Sequence, residues 1–332
     1  MAETWRRWRG TQELRLMTVL LAIGAVLWVA TPGFGSAQNL MDMLTSSAFT
    51  AILATGLLMV LVAGGVDISF AATASITQYV ALSLANQGHL GWVGLLLVAV
   101  VLGALLGLVN ALLVTTLGLS SIIVTIATQS LYYGLLMAAT NGQDIFALPA
   151  WFNDGLHWVF HVDAHGGEHA LNLQIVALAL VCGFTGWLLT RTSIGRQIFA
   201  MGGNPEAARR VGFPVFRLNL LVYGFMGAVA GLASLVHAQL VQSVSPSALV
   251  GRELDVLAAV VLGGASLNGG IGSVPGTLLG VALLAVLQNG LTLLGVSSYW
   301  SQLCTGGVIL AAVVMMAHQG RRPMARSKAE AA

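Results

Sequence analysis

Long apolar runs, separated by short polar segments, make up most of this chain. A helix needs roughly 20 mostly apolar residues to cross a bilayer. The pattern predicts about ten such spans, some of them short or interrupted by glycine. The predicted spans are 15–31, 47–63, 68–86, 91–113, 117–140, 171–190, 216–240, 253–267, 276–295 and 299–318.

The composition is that of a membrane protein. Hydrophobic residues make up 57% of the chain and charged residues only 8%, whereas a soluble domain carries about a quarter charged residues. The net charge of +2 is too small to indicate a nucleic-acid partner. We therefore expect an all-α integral membrane protein in which residues 1–332 form a single transmembrane domain surrounded by membrane lipid.

The basic residues predict the orientation of this domain. Four precede or open the first span, five lie in or beside the loop 191–215, and four follow the last span, which leaves only Arg252 on the opposite face. Positively charged loops stay on the cytoplasmic side. We therefore expect both termini and the loop 191–215 to be cytoplasmic and the loop 141–170 to be external. The clustered residues are Arg6, Arg7, Arg9, Arg15, Arg191, Arg196, Arg209, Arg210, Arg217, Arg321, Arg322, Arg326 and Lys328.

Motifs of ATP-binding and hydrolytic enzymes are missing from the sequence. Lys328 is the single lysine, and there is no G-x-x-x-x-G-K-[ST] phosphate loop. The H-E-x-x-H, C-x-x-C and G-x-S-x-G motifs are also absent. The sequence therefore predicts no catalytic residues, and any use of ATP would require another subunit.

The loop 191–215 contains the signals of a short capped helix. Asn204 suits the N-cap, Pro205 the first helical position, and Glu206 the positive end of the helix dipole. At the other end, two arginines suit the negative end and Gly212 can adopt the terminating left-handed conformation. These signals predict a helix over about 205–211, preceded by Gly202 and Gly203 as a flexible lead-in. A helix that merely joins two spans and a helix that docks a partner are equal alternatives on these grounds.

Three stretches resemble the ribose-type ABC permease family. The run T-S-I-G-R-Q-I-F-A-M-G-G-N-P-E-A-A-R-R-V-G over 192–212 resembles the loop by which such permeases contact their ATPase. Residues 64–69, G-G-V-D-I-S, resemble the family signature G-G-[IV]-D-[LI]-S, and residues 252–300 resemble its C-terminal half. The order and spacing fit, and the likeness extends from about residue 40 to 318.

The resemblance implies a function and its partners. It implies the membrane-spanning subunit of an importer for a monosaccharide or similar small polar solute, in the bacterial cytoplasmic (inner) membrane. It further implies a cytoplasmic ATPase that binds ATP and Mg, a periplasmic solute-binding protein, and a second permease subunit, identical or different; this chain would hold no cofactor. The implied ATPase-coupling residues are Gly195, Arg196, Gly202, Gly203, Asn204, Pro205, Glu206 and Arg209.

One departure from the family pattern concerns the substrate. The family usually continues D-[LI]-S-V-G-S, whereas Phe70-Ala71-Ala72-Thr73 follows Ser69 here. In the family this segment begins a helix near the substrate route, so the departure puts the identity of the substrate in question.

Asp67 has two readings at the break between two apolar segments. An acid inside the membrane is costly and is often part of a pathway or gate. We favour the alternative, in which Asp67 caps a helix that starts at Ile68. The apolar spans offer it no basic partner, so a proton relay is not expected.

Polar residues within the spans are candidates for the lining of a translocation route, since amides and hydroxyls suit sugar hydroxyl groups. For each of them, a hydrogen bond between helices is the alternative role. The candidates are Asp67, Gln78, Asn110, Gln129, Tyr132, Tyr133, Gln288 and Asn289.

Glycines mark two further features. The glycine-rich stretch 263–276 is equally well interpreted as a broken helix of a transporter or as a tight cytoplasmic turn. Three G-x-x-x-G pairs allow close helix packing, which we expect inside one subunit before a dimer interface. The pairs are Gly103/Gly107, Gly227/Gly231 and Gly276/Gly280.

The external loop carries His157, His161, His165 and His169 at intervals of four residues. In a helix, this spacing could bind zinc. Gly166 and Gly167 argue against a continuous helix, so we favour a polar loop facing water and expect no metal site.

An ion-gradient-driven secondary transporter is the alternative function. Such transporters typically need an ionisable residue inside the membrane to carry the coupling, and the spans have almost none. A membrane enzyme ranks third because no catalytic constellation is present.

Overall fold

The computed structural model describes residues 2–88, 90–162, 168–297, 299–300, 302–307 and 310. These residues form mainly helices, with two short strands. The elements are α1 Ala2–Ala30, α2 Ala37–Val62, α3 Phe70–Asn86, α4 Trp92–Leu117, α5 Ser121–Thr140, α6 Ala150–Asn153, β1 His157–Val162, β2 Glu168–Asn172, α7 Leu173–Arg191, α8 Ser193–Gly203, α9 Pro205–Arg210, α10 Val215–Val241, α11 Arg252–Leu262 and α12 Val274–Leu293.

The long helices run between two ends of the molecule, which we name by the elements found there. At the α9 end, α2 and α7 finish and the short helices α8 and α9 lie between α7 and α10. At the hairpin end, α2 begins beside the β1–β2 hairpin, where the Asn172 side chain donates to Thr45 Oγ1 at 3.2 Å. Successive long helices alternate in direction between these ends, as expected for a chain that repeatedly crosses a bilayer.

The core is built around α2 and α10. The second half of α2 is fully enclosed, from Ile52 through Val62, and α10 packs against α2, α3 and α4. By contrast, α4 and α5 expose large apolar residues such as Leu97, Leu105 and Leu131 along their outer faces. Apolar surface of this extent suits contact with lipid tails.

Glycine pairs determine how closely the core helices approach, and they do so within one chain, as predicted. A Cβ on Gly103 would overlap the carbonyl oxygen of Gly227, and one on Gly231 would overlap that of Ala99. The third pair packs in the same way, because Gly280 lies against the backbone of Ala259 in α11 and Gly276 against that of Gly263, just after α11. Small residues allow this close contact because they have little or no side chain between the backbones.

Seven of the described helices are long and apolar enough to cross a membrane. The predicted spans 68–86 and 253–267 correspond to shorter helices, because α3 has 17 residues and α11 has 11. The prediction for 253–267 was wrong at its end: α11 stops at Leu262, where Gly263 and Gly264 begin a turn. Much of the predicted span 299–318 lies outside the described residues.

The loop between α5 and α7 is not entirely irregular. Strands β1 and β2 pair antiparallel, with a register shift between Val159 and His161. His157, His161 and His169 therefore lie on strands rather than on the helix that a zinc site at this spacing requires, while His165 lies outside the described residues. Within the described part of the chain, no group of three or more His, Cys, Asp or Glu side chains could hold a metal ion.

Candidate coupling site

Helix α9 has the caps that its sequence predicts. The Asn204 side chain accepts from the backbone N–H of Ala207 at 2.9 Å, and Pro205 occupies the first turn. At the other end, Gly212 has φ +89°, and its N–H donates to the Arg209 carbonyl at 2.9 Å. The N–H of Phe213 donates to Ala208 at 3.0 Å, which completes a Schellman-type end. The prediction of a capped helix is confirmed, with its last helical residue at Arg210 instead of 211.

Gly202 and Gly203 do not form a flexible lead-in, and that prediction was wrong. They are the last two residues of α8, a helix that starts at Ser193 with a Thr192 side-chain cap on the N–H of Gly195. Helix α8 is amphipathic, and its apolar face buries Ile198 and Met201 in the core. Helix α8 therefore anchors α9 firmly to the membrane domain.

The three motif stretches meet at one point, which we name the glycine junction: Gly64, Gly202, Gly269 and Gly270. A Cβ on Gly202 would overlap the carbonyl oxygen of Val62, and one on Gly269 would lie 2.7 Å from the Cα of Gly64. The N–H of Gly270 donates to the Val62 carbonyl at 2.9 Å. The junction thus joins the end of α2, the end of α8 and the 263–273 turn through backbone contacts alone.

The connection from α2 to α3 lies beside the glycine junction and is held by buried polar contacts. Asp67 Oδ1 accepts from the backbone N–H of Ser69 at 2.8 Å and from its hydroxyl at 2.7 Å. Asn110 Nδ2 donates to Ser69 Oγ at 2.6 Å, and Val66 N–H donates to Ser121 Oγ at 2.9 Å. Buried polar groups need such partners.

Asp67 is bound locally, but not as the predicted cap of a helix from Ile68. Helix α3 begins at Phe70, and its N-cap residue is Ser69. The Asp67 side chain instead binds the N–H two residues on, which is the geometry of an Asx turn. The turn fixes the entry to α3.

The predicted coupling residues fall into two groups. Gly195 and Gly202 are buried contacts that position α8. The others are exposed at the surface of the α9 end, where Val211, an apolar residue, is 72% exposed. A cavity of about 600 Å³ opens beside α9, between it and the α4–α5 turn, and its lining includes Pro205 and Arg209. The exposed coupling residues are Arg196, Gly203, Asn204, Pro205, Glu206 and Arg209.

Comparison with known proteins identifies the family. Residues 39–313 match the model of the family described as branched-chain amino acid transport system, permease component. The chain belongs to this permease family. It is therefore a multi-pass inner-membrane protein and a transport subunit, not an enzyme.

Individual relatives extend along nearly the whole permease. The ribose import permease protein of Escherichia coli K12 is 33% identical, and the alignment covers 91% of this chain and 93% of that protein. The L-arabinose ABC transporter permease protein of Azospirillum brasilense is 32% identical, with 92% and 88% covered. The xylose transport system permease protein of Escherichia coli K12 is 31% identical, with 93% of each covered. No solved structure matches the chain.

Most of the polar residues predicted to line a route bind neighbouring helices in the permease. Gln129 Nε2 donates to Glu253 Oε1 at 2.7 Å, and the Tyr132 hydroxyl donates to the Leu106 carbonyl at 3.1 Å. Gln78 is completely buried between α3 and α10 and lies 3.5 Å from a ring nitrogen of His237. Asn110 belongs to the Asp67 network described above. Their place in a translocation route stays a prediction.

Gln288 and Asn289 line a cleft among α2, α11 and α12. Asn289 exchanges hydrogen bonds with Asn39 of α2 at 3.0 and 3.1 Å. The cleft has a volume of about 300 Å³, and its polar lining includes Arg252 and Asp255. Sequence reasoning missed this pair, although Arg252 was conspicuous as the one basic residue outside the three predicted cytoplasmic clusters.

Proposed function

We propose that this permease is the membrane-spanning subunit of an ATP-binding-cassette importer that carries a monosaccharide or a similar small polar solute across the bacterial cytoplasmic membrane. The similarity to ribose, arabinose and xylose permeases over nine tenths of the chain supports this substrate class. The observation that carries the coupling role is the glycine junction, because it connects α8, the helix just before the exposed α9, to α2 and to the turn before α12.

We propose three partners for the permease. A cytoplasmic ATPase, which holds ATP and Mg, receives the exposed surface of α9, including Glu206, Arg209 and Val211. A periplasmic solute-binding protein delivers the solute at the hairpin end. A second permease subunit, identical or different, completes the translocation route.

In this proposal, α8 and α9 transmit movement as one unit. Closure of the ATPase on ATP displaces α9, and α8 moves with it because only Asn204 separates the two helices. Ile198 and Met201 pass this movement to the core. The backbone contacts of Gly202 then carry the displacement to the end of α2 and to the 263–273 turn. Backbone segments that touch without intervening side chains cannot deform gradually. The helices therefore switch between two discrete arrangements. Solute on the binding protein biases the same equilibrium from the other end.

The orientation of the permease is testable by itself. Since all but one of the basic residues cluster beside the predicted cytoplasmic segments, we expect the C-terminal tail and the α9 end to face the cytoplasm. A reporter enzyme that is active only outside the cytoplasm, fused after Arg326, should stay inactive. The same reporter inserted at Gly155, before the hairpin, is the control and should be active. An active fusion after Arg326 would contradict the ten-span topology.

The transport function is tested by reconstitution. Proteoliposomes with the permease, its ATPase and its binding protein should take up labelled ribose, arabinose or xylose only when ATP is present. Omission of the binding protein or of ATP should reduce uptake to background. Uptake by the permease alone, driven by an ion gradient, would overturn this proposal and support a secondary transporter.

A further inference from the structure

Charged and polar side chains from three helices line the α2–α11–α12 cleft. Arg252 and Asp255 lie one turn apart on α11, so they share a face of that helix. Thr50 of α2 and Gln288 of α12 contribute a hydroxyl and an amide from the other two helices. Hydrogen-bonding groups of four kinds therefore line one space of about 300 Å³.

The cleft lies between the middle of the molecule and the hairpin end, because Arg252 is the first residue of α11 and Gln288 lies near the end of α12. Thr50 is about 18 Å along α2 from the glycine junction, and Gln288 is about 21 Å along α12 from Val274, at a rise of about 1.5 Å per residue. Toward the α9 end the lining becomes apolar, with Val281 and Leu284. Both of these side chains are almost completely buried. The core therefore closes the cleft toward the α9 end.

Lipid cannot be the medium that fills this cleft. A charged side chain within a transmembrane domain faces protein or water, because contact with lipid tails is costly. Arg252 is nevertheless exposed on the surface of the chain. The cleft is thus a hydrated space within the transport complex.

We propose that the transported solute contacts the permease in this cleft, and that this solute is a neutral polyhydroxylated molecule of monosaccharide size. The assignment rests on the proposed import function. A guanidinium donates through parallel N–H groups and a carboxylate accepts through two oxygens, so Arg252 and Asp255 together can bind neighbouring hydroxyl groups. Their opposite charges cancel, which favours a neutral solute over an ionic one.

The size of the cleft and its apolar floor agree with this ligand class. Small-molecule sites span roughly 300–1,000 Å³, and the cleft lies at the lower limit. It has room for one sugar ring with its hydroxyl groups. The apolar floor at Val281 and Leu284 can contact the C–H face of such a ring, while Gln288 supplies one donor and one acceptor.

Protection from chemical labelling tests the site in the complete complex. In a Cys182→Ser/Cys304→Ser background, Thr50→Cys should react with a membrane-impermeant maleimide added at the hairpin side. Excess ribose, arabinose or xylose, with binding protein present, should slow this reaction by roughly tenfold at ten times the half-saturating concentration. Gln38→Cys, near the exposed start of α2 and outside the cleft, is the matched control and should react equally with and without sugar.

Two charge-neutralising substitutions test the polar pair. Arg252→Gln and Asp255→Asn should each raise the sugar concentration needed for half-maximal protection by roughly 10- to 100-fold, because each removes a hydrogen bond to a charged group. Asp255→Glu should restore part of the protection. Asp42→Asn removes an acid from α2 outside the cleft and should leave protection unchanged. Basal ATPase activity of each complex reports whether the variant has assembled.

The outcomes separate the site from the function. Normal ATP-dependent uptake with no labelling of Thr50→Cys, or with labelling that no sugar slows, would overturn the cleft assignment alone. Equal protection by sugar in wild type, Arg252→Gln and Asp255→Asn would show that the polar pair does not bind the solute. Failure of the wild-type complex to take up any of the three sugars would overturn the proposed function, and the cleft assignment with it.

Discussion

Gly202→Ala should abolish most transport, although it adds only one methyl group. The new Cβ would overlap the Val62 carbonyl oxygen and lie 2.8 Å from the Gly270 nitrogen. These neighbours are backbone atoms, so no side chain can move aside. Overpacking of this kind costs about 1–3 kcal/mol, and loss of the Gly270–Val62 hydrogen bond adds about 1 kcal/mol. Since each 1.4 kcal/mol is a factor of about ten, we expect α8 to separate from the junction and uptake to fall by a factor of roughly 30 or more.

Gly183→Ala is the matched control for this prediction. Gly183 lies inside α7, away from the coupling surface, is exposed, and has nothing within 4 Å of an added Cβ. Because alanine is a better helix former by about 1 kcal/mol, this variant should keep transport and show equal or higher thermal stability in detergent. ATP-dependent uptake and melting temperature should be measured side by side. Equal ATP-dependent uptake and equal melting temperatures for Gly202→Ala and its control would show that the glycine junction does not transmit coupling.

Glu206→Lys combined with Gly212→Val should uncouple the ATPase from transport. The lysine reverses the charge at the N-terminus of α9, which costs about 0.3–1 kcal/mol, and removes the exposed 3.9 Å pair with Arg210, which contributes little. The valine must adopt φ near +89°, a conformation that costs a β-branched residue about 1–3 kcal/mol. Both changes alter α9 without touching the buried helices, so insertion into the membrane should survive.

The measurement compares ATPase activity and uptake of the reconstituted complex. In the double mutant the ATPase should bind poorly, or should hydrolyse ATP without responding to loaded binding protein, and uptake should fall in parallel. Gly88→Val imposes comparable backbone strain at φ +78° near the hairpin end and should leave the response of the ATPase intact. Normal ATP-dependent uptake in the double mutant would remove α9 from the coupling mechanism.

Local signals made α9 predictable. An N-cap at Asn204 and a terminating glycine at Gly212 act within three or four residues of the backbone groups they satisfy, so the sequence itself contains both partners. The glycine pairs of α4 and α10 were recognisable for a similar reason, because their spacing places both members on one helix face. The resemblance of three stretches identified the permease family before any contact between them was visible.

Contacts between distant segments could not be predicted in the same way. The local sequence predicts that Gly202 is a flexible residue before a helix cap. Only the approach of α2 and the 263–273 turn makes it a packing position. The length of α11 was overestimated because hydrophobicity continues past the glycines at which the helix stops. Asp67 was expected to cap a helix from Ile68, but it forms an Asx turn instead, and its links through Ser69 to Asn110 depend on the position of α4.

The sequence by itself determined the membrane class, the permease family, and the caps of the exposed helix. These depend on composition, on order along the chain, and on hydrogen bonds that close within one helical turn. The tertiary structure alone decided that Gly64, Gly202, Gly269 and Gly270 form one junction, and that Arg252 and Asp255 share a cleft with Thr50 and Gln288. The reason is geometric: the rotation and depth of each helix set which side chains meet, and those are fixed by the packing of all the helices together.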